Sequence, residues 1–169
     1  MLTRKDGIGS PAFLNYISQA PDDDLMTALQ ENTKRFRKLM KKIPRKKIDY
    51  AYAEGKWTIR EMIQHIIDAE RVFCYRAICF ARKDKNPLPG FEENEWAAES
   101  KAKERRWKDL INEFDFLRAS TLFMFASFDE DQLRGEGIAS NYKSNVVGLG
   151  FVIAGHVEHH MKVIRERYL

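Results

Sequence analysis

The chain has 169 residues, a length typical of one domain with a sizeable core, so residues 1–169 are expected to form a single domain. Hydrophobic residues make up 44% and charged residues 32% of the chain, which excludes an intrinsically disordered protein and a chain built mainly of membrane spans. The formal net charge is +4, and the basic residues are unevenly distributed along the chain.

Two elements are predicted before residue 45. Residues 1–20 are expected to form an N-terminal arm or a short helix. Helix one is predicted to begin at residues 21–24, a proline and three aspartates, because acidic side chains suit the positive end of a helix. Pro44 is expected to end it. The apolar residues between these points recur at spacings of three, four and seven, which indicates one buried face: Leu25, Leu29, Phe36, Leu39, Met40 and Ile43.

A strongly basic run lies at the end of helix one. Nine of the fourteen residues from Lys34 to Lys47 are lysine or arginine. Such a run is able to contact phosphates, so nucleic-acid binding is one alternative. Apolar residues interrupt the run at helical spacing, however, which favours a solvated helix face that continues into a loop. Nucleic acid is therefore the less favoured interpretation of this run.

Helix two is predicted to cover residues 58–82. Its first residues have the capping-box pattern, in which the Thr58 hydroxyl accepts the amide of Glu61 and the Glu61 carboxylate accepts the amide of Thr58. Residues 83–90 contain Asn-Pro and Pro-Gly pairs, which predict a loop after this helix.

Helices three and four complete the predicted architecture. Helix three is expected over residues 94–128, with a break near Ser100. Glycines interrupt the helical pattern in residues 135–144, which are predicted to be a long polar connection, and helix four is predicted over residues 145–168. Four long amphipathic helices, with no window of period-two alternation, predict an all-α protein: a four-helix bundle with up-and-down or crossover connections.

Three features predict a cytoplasmic protein without a membrane span. The longest segment near the C-terminus without charge or histidine is residues 145–155, which is shorter than the roughly 20 residues that a bilayer crossing needs. The first residues lack the apolar run of a secretory signal. Cys74 and Cys79 lie about 140° apart around helix two, so they are expected to be unpaired, reduced thiols. Their apolar neighbours make a catalytic cysteine a weak alternative.

All four histidines lie on two predicted helices, His65 on helix two and the others on helix four. His156 and His160 are one turn apart and project from one face, so two imidazoles can reach one metal ion. His156 and His159 are three residues apart, a spacing that also lets two imidazoles reach one ion, so the sequence leaves open which two histidines of helix four form the pair. His65 would come from a facing helix, a common arrangement for metals in bundle cores. A lone helical histidine is usually a surface or core residue, but the cluster indicates a metal site.

Other chemistries lack their motifs in this sequence. A carboxylate-bridged di-iron bundle needs Glu-x-x-His twice and a zinc protease needs His-Glu-x-x-His, and the chain has neither. It also lacks a Gly-rich phosphate loop ending in Lys-Ser/Thr and the Gly-x-Ser-x-Gly turn of serine hydrolases. These absences leave the histidine cluster as the main candidate for chemistry.

Five segments together resemble the DinB-like superfamily. Residues 56–65 (KWTIREMIQH) and 68–71 (DAER) are similar to its second-helix signature, and residues 88–96 (LPGFEENEW) are similar to its loop into helix three. Residues 154–160 (AGHVEHH) and 166–169 (ERYL) are similar to its fourth-helix signature. The resemblance extends from about residue 10 to the end of the chain.

The resemblance implies a four-helix bundle with a long crossover connection, commonly assembled as a homodimer. It implies one divalent metal ion bound by three histidines, here His65, His156 and His160, with His159 as a neighbour of the site. Relatives include thiol-dependent S-transferases, a thiol-dependent isomerase and proteins named as metal-dependent hydrolases.

From this resemblance we expect a metal-dependent enzyme of thiol S-transferase or hydrolase type. Three neutral imidazoles on Zn²⁺ or Ni²⁺ leave a coordination position open for a low-molecular-weight thiol or another small substrate. Asp68 and Glu70 are candidate acid–base groups, although each is equally expected as a surface charge. A non-catalytic, metal-stabilised binding module is the alternative, and nucleic-acid binding through Lys34 to Lys47 is the less favoured one.

Overall fold

The computed structural model describes residues 2–169 and contains a four-helix bundle with short additional elements. Four long helices form the bundle: α2 (Leu25–Met40), α3 (Ile59–Ala81), α5 (Trp107–Ala126) and α7 (Val146–Arg167). The short helices are α1 (Pro11–Gln19), α4 (Glu93–Glu99) and α6 (Glu130–Arg134), and the strands are β1 (Glu136–Ala139) and β2 (Tyr142–Asn145). Within residues 2–169, none of the helices combines the length and apolarity that a bilayer crossing requires.

The helix starts agree with the sequence-based expectations. Thr58 caps α3 as predicted, because its hydroxyl accepts the Glu61 amide at 3.2 Å and the Glu61 carboxylate accepts the Thr58 amide at 2.8 Å. The α2 helix begins after Asp24, whose carboxylate accepts the amide of Thr27 at 2.8 Å. Helix α7 begins after Asn145, whose side chain accepts the amide of Gly148. Side chains thus supply the acceptors that the first turn of each helix lacks.

The basic run divides into a buried apolar face and an exposed cationic face. Phe36, Leu39 and Met40 are buried, as the spacing predicted, and α2 ends at Met40, before Pro44. Arg37 forms an ion pair with Asp115 at 2.8 Å on the surface of α5. The run is therefore the outer face of α2 followed by a short 3-10 turn.

The predicted third helix is broken near Ser100, as expected. Helix α4 ends at Glu99, Lys101 has a left-handed backbone conformation with φ of 51°, and a 3-10 turn precedes α5. The break separates the short α4, which packs on α3, from the long bundle helix α5.

One expectation about the connection before α7 was wrong. Residues 135–144 were expected to be a long polar connection with no strand, but β1 and β2 pair there as an antiparallel hairpin, with Gly137 opposite Ser144. The strands have four residues each, too short for a clear alternation. Their turn places Ser140 and Asn141 at φ of 51° and 66° without the glycine that usually marks such turns. The hairpin packs closely on α3, because a Cβ at Gly137 would lie 2.1 Å from the Phe80 ring.

The N-terminal segment includes a short helix that lies directly on α7. The approach is close at Gly155, where a Cβ would lie 1.7 Å from the carbonyl oxygen of Tyr16. Asn145 further holds this segment, because its side chain accepts the amide of Ile8 at 2.9 Å and donates to the carbonyl of Asp6 at 2.8 Å. Glycine at 155 is therefore needed for α1 to reach its place.

A fully buried arginine links the bundle helices. The Arg118 guanidinium on α5 donates two hydrogen bonds to the Glu70 carboxylate on α3, at 2.9 and 2.8 Å. It also donates to Asn32 at 2.9 Å and to Thr33 at 3.0 Å, both on α2. Asn32 in turn donates to Glu158 on α7 at 3.2 Å, so one network includes all four long helices.

Replacing Arg118 with methionine should strongly destabilise the protein, since it leaves the Glu70 carboxylate buried without its cation. We expect the free energy of unfolding, measured by urea denaturation, to fall by about 3–5 kcal/mol. The double variant Arg118→Met/Glu70→Leu should be less destabilised than Arg118→Met alone, because no charge is left unpaired.

Arg37→Met provides the matched control, because it removes an exposed ion pair of the same type. It should change the free energy of unfolding by at most about 1 kcal/mol. Equal losses in the Arg118 and Arg37 variants would contradict this role of the buried network.

Candidate metal centre

Three imidazoles meet between α3 and α7. His65 projects from α3, and His156 and His160 project from α7 one turn apart. The Nε2 atom of His156 lies 3.1 Å from that of His65 and 3.0 Å from that of His160. Among residues 2–169, these three form the one group of three or more histidine, cysteine or acidic side chains whose ligand atoms lie within 4.8 Å of one another.

These separations fit the geometry of a shared metal ion. With metal–nitrogen bonds of about 2.0–2.1 Å, two nitrogens on one ion lie about 2.9 Å apart at a right angle and about 3.4 Å apart at the tetrahedral angle. The two Nε2 separations, 3.0 and 3.1 Å, fall within this range, and all three ligand atoms lie within 4.8 Å of one another. The donor set can thus hold one divalent ion with little movement of the side chains.

Burial keeps all three imidazoles neutral at pH 7. Their side chains are 5%, 4% and 9% exposed for His65, His156 and His160 respectively. Burial lowers the pKa of His65 to about 4. Burial also lowers the pKa of His156 and His160 well below the ordinary value, and the neighbouring imidazoles add to the effect. Neutral imidazoles are the form that binds metals, so these groups are ready to act as ligands.

The structure separates His159 from the other histidines of α7. Its ring is partly exposed and packs edge-on against Tyr16, with the ring centres 5.4 Å apart. Burial lowers its pKa, and the nearby Lys162 cation acts in the same direction. His159 lies beside the cluster and contributes no atom to the group of three ligand atoms.

Aromatic side chains enclose the cluster. The Trp57 ring centre lies 4.7 Å from that of His65, and the Tyr16 and Phe73 ring centres lie 5.2 and 5.8 Å from that of His156. These apolar walls exclude water from most of the site, which strengthens electrostatic interactions inside it.

A cavity of about 230 Å³ reaches the cluster from the surface. His160 lies in its wall, together with His159, further residues at the C-terminal end of α7, and residues of α3, α4 and the loop before α3: Tyr52, Gly55, Lys56, Trp57, Met62, Asn94, Val163 and Tyr168. A small molecule in this cavity would therefore lie next to one of the three candidate ligands.

Asp68 and Glu70, the predicted acid–base candidates, lie outside the histidine group. Glu70 is held by Arg118 and also accepts the Thr121 hydroxyl at 2.8 Å. Asp68 accepts the Gln64 amide at 2.9 Å, and burial raises its pKa. The acid–base roles of Asp68 and Glu70 remain predictions.

The two cysteines are unpaired, as predicted. Burial raises the pKa of Cys74 to about 12, with the nearby Glu70 carboxylate acting in the same direction. A thiol with this pKa is almost entirely protonated at pH 7 and is therefore a poor nucleophile.

Sequence reasoning missed several residues of the site. Tyr16 lies in the N-terminal helix and Tyr52 in the loop before α3, and no spacing rule connects them to the cluster. Trp57 and Tyr168 fall within segments of the family resemblance, but only the structure brings them to the same cavity.

A family profile covers most of this chain, and several curated proteins match about half of it. The sequence profile of the DinB superfamily matches residues 28–164. A protein of Bacillus mycoides and one of Bacillus cereus, each named "putative metal-dependent hydrolase", are 24% and 25% identical over 91 residues, or 53% of this chain. The match covers 52% of those proteins, so the chain spans about half the length of the curated relatives it matches.

Two solved structures share the fold. YfiT of Bacillus subtilis, described as a probable metal-dependent hydrolase with an unusual four-helix bundle topology, matches with a TM-score of 0.72 at 15% identity, over 84% of this chain and 82% of YfiT. A mycothiol-dependent maleylpyruvate isomerase matches with a TM-score of 0.67 at 14% identity, over 82% of this chain and 58% of the isomerase.

The stability of the metal-free protein should fall as the pH is lowered from about 6.5 to 4. In that window the unfolded histidines bind protons and the buried ones do not, so protonation favours the unfolded chain. The shift of the His65 pKa from 6.5 to about 4 corresponds to a loss of about 3 kcal/mol of unfolding free energy. Urea denaturation of chelator-treated protein at several pH values measures this loss.

His65→Leu is the control, since it removes one of these titrating groups. Its unfolding free energy should depend less on pH than that of the unchanged protein over the same window. Identical pH profiles of the two proteins would show that His65 is not held neutral by the fold.

Proposed function

This chain belongs to the DinB superfamily, and we propose that it is a metal-dependent enzyme in which His65, His156 and His160 hold one divalent ion. The observation that carries the proposal is the convergence of three buried Nε2 atoms at separations suited to one ion. The names of the curated relatives support a metal-dependent activity.

Zn²⁺ or Ni²⁺ is the proposed ion. Imidazole nitrogens suit both metals, and three protein ligands leave at least one coordination position open. Once bound, the ion would supply a Lewis-acidic position that holds a thiolate or lowers the pKa of a bound water toward about 7.

The residues of the chain have complementary roles in this proposal. Trp57, Tyr16 and Phe73 exclude water around the histidines. The cavity beside His160 receives the substrate between Tyr52 and Tyr168. His159, in the wall of the same cavity, has a lowered pKa and is neutral at pH 7, so it can accept a proton from a bound thiol or water.

The proposed reaction is thiol S-transfer, with hydrolysis as the second candidate. A structural neighbour that uses mycothiol supports a low-molecular-weight thiol as cosubstrate. The names of the relatives support hydrolysis. A metal-stabilised binding module without catalysis is the alternative, and its metal site would bind no thiol.

The purified protein should bind close to one divalent ion per chain. His160→Ala should remove most of this metal because it deletes one of three ligands, whereas His159→Ala should retain it because that ring lies outside the group. Elemental analysis after equilibration with Zn²⁺ and gel filtration measures the metal content of the parent protein and of both variants. Loss of metal from the His159 variant but not from the His160 variant would reverse the assignment.

A thiol should bind to the metal centre and react there. Adding a low-molecular-weight thiol to cobalt-substituted protein should produce a sulfur-to-metal charge-transfer absorption band, because soft sulfur ligands suit such metals. The same protein should catalyse addition of the thiol to an electrophile, and His65→Ala should abolish both signals.

Two other results would change the proposed reaction. An unchanged cobalt spectrum together with cleavage of esters or amides would favour the hydrolase. An unchanged spectrum with neither activity would leave only the metal-stabilised binding module.

We also propose a cytoplasmic homodimer. The unpaired state of Cys74 and Cys79 is consistent with a reducing compartment.

Two exposed aromatic residues support the proposed dimer. Phe116 and Phe123 on α5 are 76% and 80% exposed. They lie seven residues apart on one helix face, and the residues between them on that face are small. Such a surface suits contact with the same surface of a second chain.

Replacing Phe123 with glutamate should convert the dimer into a monomer, because it places a charge in the apolar contact. Sedimentation velocity at micromolar concentration measures the change. Tyr142→Glu is the control, since Tyr142 is also an exposed aromatic but lies on the hairpin. A monomeric parent protein would contradict the proposed assembly.

A further inference from the structure

A second buried arginine has no carboxylate partner. The Arg76 side chain on α3 is only 2% exposed, and its Nη2 atom donates to the Pro89 carbonyl at 2.8 Å and to the Ser140 hydroxyl at 2.9 Å. Both acceptors are neutral, and no ion pair within residues 2–169 includes Arg76. By contrast, the equally buried Arg118 is neutralised by Glu70. Burying a cation without a counter-charge is unfavourable, so a site of this kind is suited to an anion from outside the chain.

Arg76 lies in the wall of a cavity of about 370 Å³ between α3 and residues 88–96. Most of the remaining wall is apolar or aromatic: Val72, Tyr75, Leu88, Phe91 and Trp96. The Phe91 and Trp96 rings pack on each other with their centres 4.6 Å apart. Three charged side chains, Asp68, Arg71 and Arg76, also lie in the wall. A largely apolar cavity of this size with a few charged groups in its wall is typical of a small-molecule site.

The free part of the guanidinium is available to a ligand. Within the described residues, the hydrogen bonds of Arg76 all come from Nη2, so the Nε and Nη1 groups can donate to a molecule in the cavity. Arg71 also lies in the wall, but its guanidinium already forms ion pairs with the Glu113 carboxylate at 2.5 Å and the Asp68 carboxylate at 3.5 Å. Arg76 is therefore the cation that an anion in this cavity would neutralise.

We propose that this cavity binds a small organic carboxylate with an aromatic or branched apolar body. The carboxylate accepts one hydrogen bond from a free N–H group of the Arg76 guanidinium, on Nε or Nη1, and the body packs against Phe91 and Trp96. A hydrogen bond between two charged groups is stronger than one between neutral groups, and the single charge of a carboxylate matches the single unpaired cation. Phosphate, which carries more charge and no apolar body, fits these walls less well.

This site is distinct from the histidine cluster. Arg76 follows His65 by eleven residues on the same helix, which places it about 16 Å farther along the α3 axis. A small carboxylate on Arg76 does not reach the histidines, so the proposal does not rest on a metal or on the proposed reaction.

Isothermal titration of chelator-treated, dialysed protein with benzoate, benzamide and inorganic phosphate tests the proposal. Benzoate should bind at least about tenfold more tightly than benzamide, because the neutral amide cannot pair with the guanidinium. Phosphate should bind more weakly than benzoate. Equal affinities for benzoate and benzamide, tighter binding of phosphate, or no saturable binding of benzoate would overturn the proposal without any variant.

Matched variants identify the cation. Arg76→Gln should weaken benzoate binding by at least about tenfold and leave benzamide binding nearly unchanged. Arg71→Gln, in the same wall, should retain benzoate binding within a few-fold because Arg71 already has carboxylate partners. Weakened benzoate binding in Arg71→Gln together with retained binding in Arg76→Gln would assign the site to Arg71 and overturn the role of Arg76.

If Arg76 only links Pro89 and Ser140 by hydrogen bonds and binds no ligand, the affinities for benzoate and benzamide should follow a different pattern. In that case benzoate would not be preferred over benzamide in the unchanged protein. Ser140→Ala removes one of the two acceptors of Arg76 and keeps the cation, so this variant should retain benzoate binding within a few-fold. Loss of benzoate binding in Ser140→Ala with unchanged folding, judged by circular dichroism, would contradict the charge-based proposal.

Discussion

The buried Arg118 guanidinium is the constraint on which the arrangement of the bundle depends. A charge with no access to water must have its hydrogen bonds met by the protein, and here the acceptors come from α2 and α3, with α7 joined through Asn32 and Glu158. Hydrophobic packing alone tolerates small rotations and slides of helices, because apolar contacts have little directionality. A guanidinium with fixed donor directions tolerates them much less, so the network restricts how α2, α3 and α5 can turn against one another.

That restriction also orients the candidate metal centre. Glu70 lies five residues after His65 on α3, about 140° around the helix axis. When Glu70 faces Arg118 on α5, His65 is turned toward α7, where His156 and His160 lie one turn apart. On the other side of α7, Gly155 lets α1 approach closely enough for Tyr16 to cover His156. The same rigid helices therefore provide both the core and the site, as preorganised ligands require.

The protein buries three groups of polar side chains in three different ways. Arg118 and Glu70 neutralise each other. The three histidines avoid charge, since burial holds their pKa values low and leaves their lone pairs available. Arg76 keeps its charge beside neutral oxygens and an apolar cavity. The first arrangement is complete within the chain. For the other two we have proposed a ligand from outside the chain, a metal cation at the histidines and a carboxylate at Arg76.

The sequence alone determined the four long helices, the cap at Thr58, and the face shared by His156 and His160, because helix periodicity and capping are local properties of the chain. The hairpin of β1 and β2 escaped detection because its strands are short and its turn lacks glycine. The sequence also could not indicate that Glu70 meets Arg118 or that Arg76 has no counter-charge. Which histidine of α7 faces His65, and which cavity reaches it, depended on helix rotation and on residues far apart in the chain. Only the tertiary structure decided these features, because each is a contact between distant segments that no local pattern specifies.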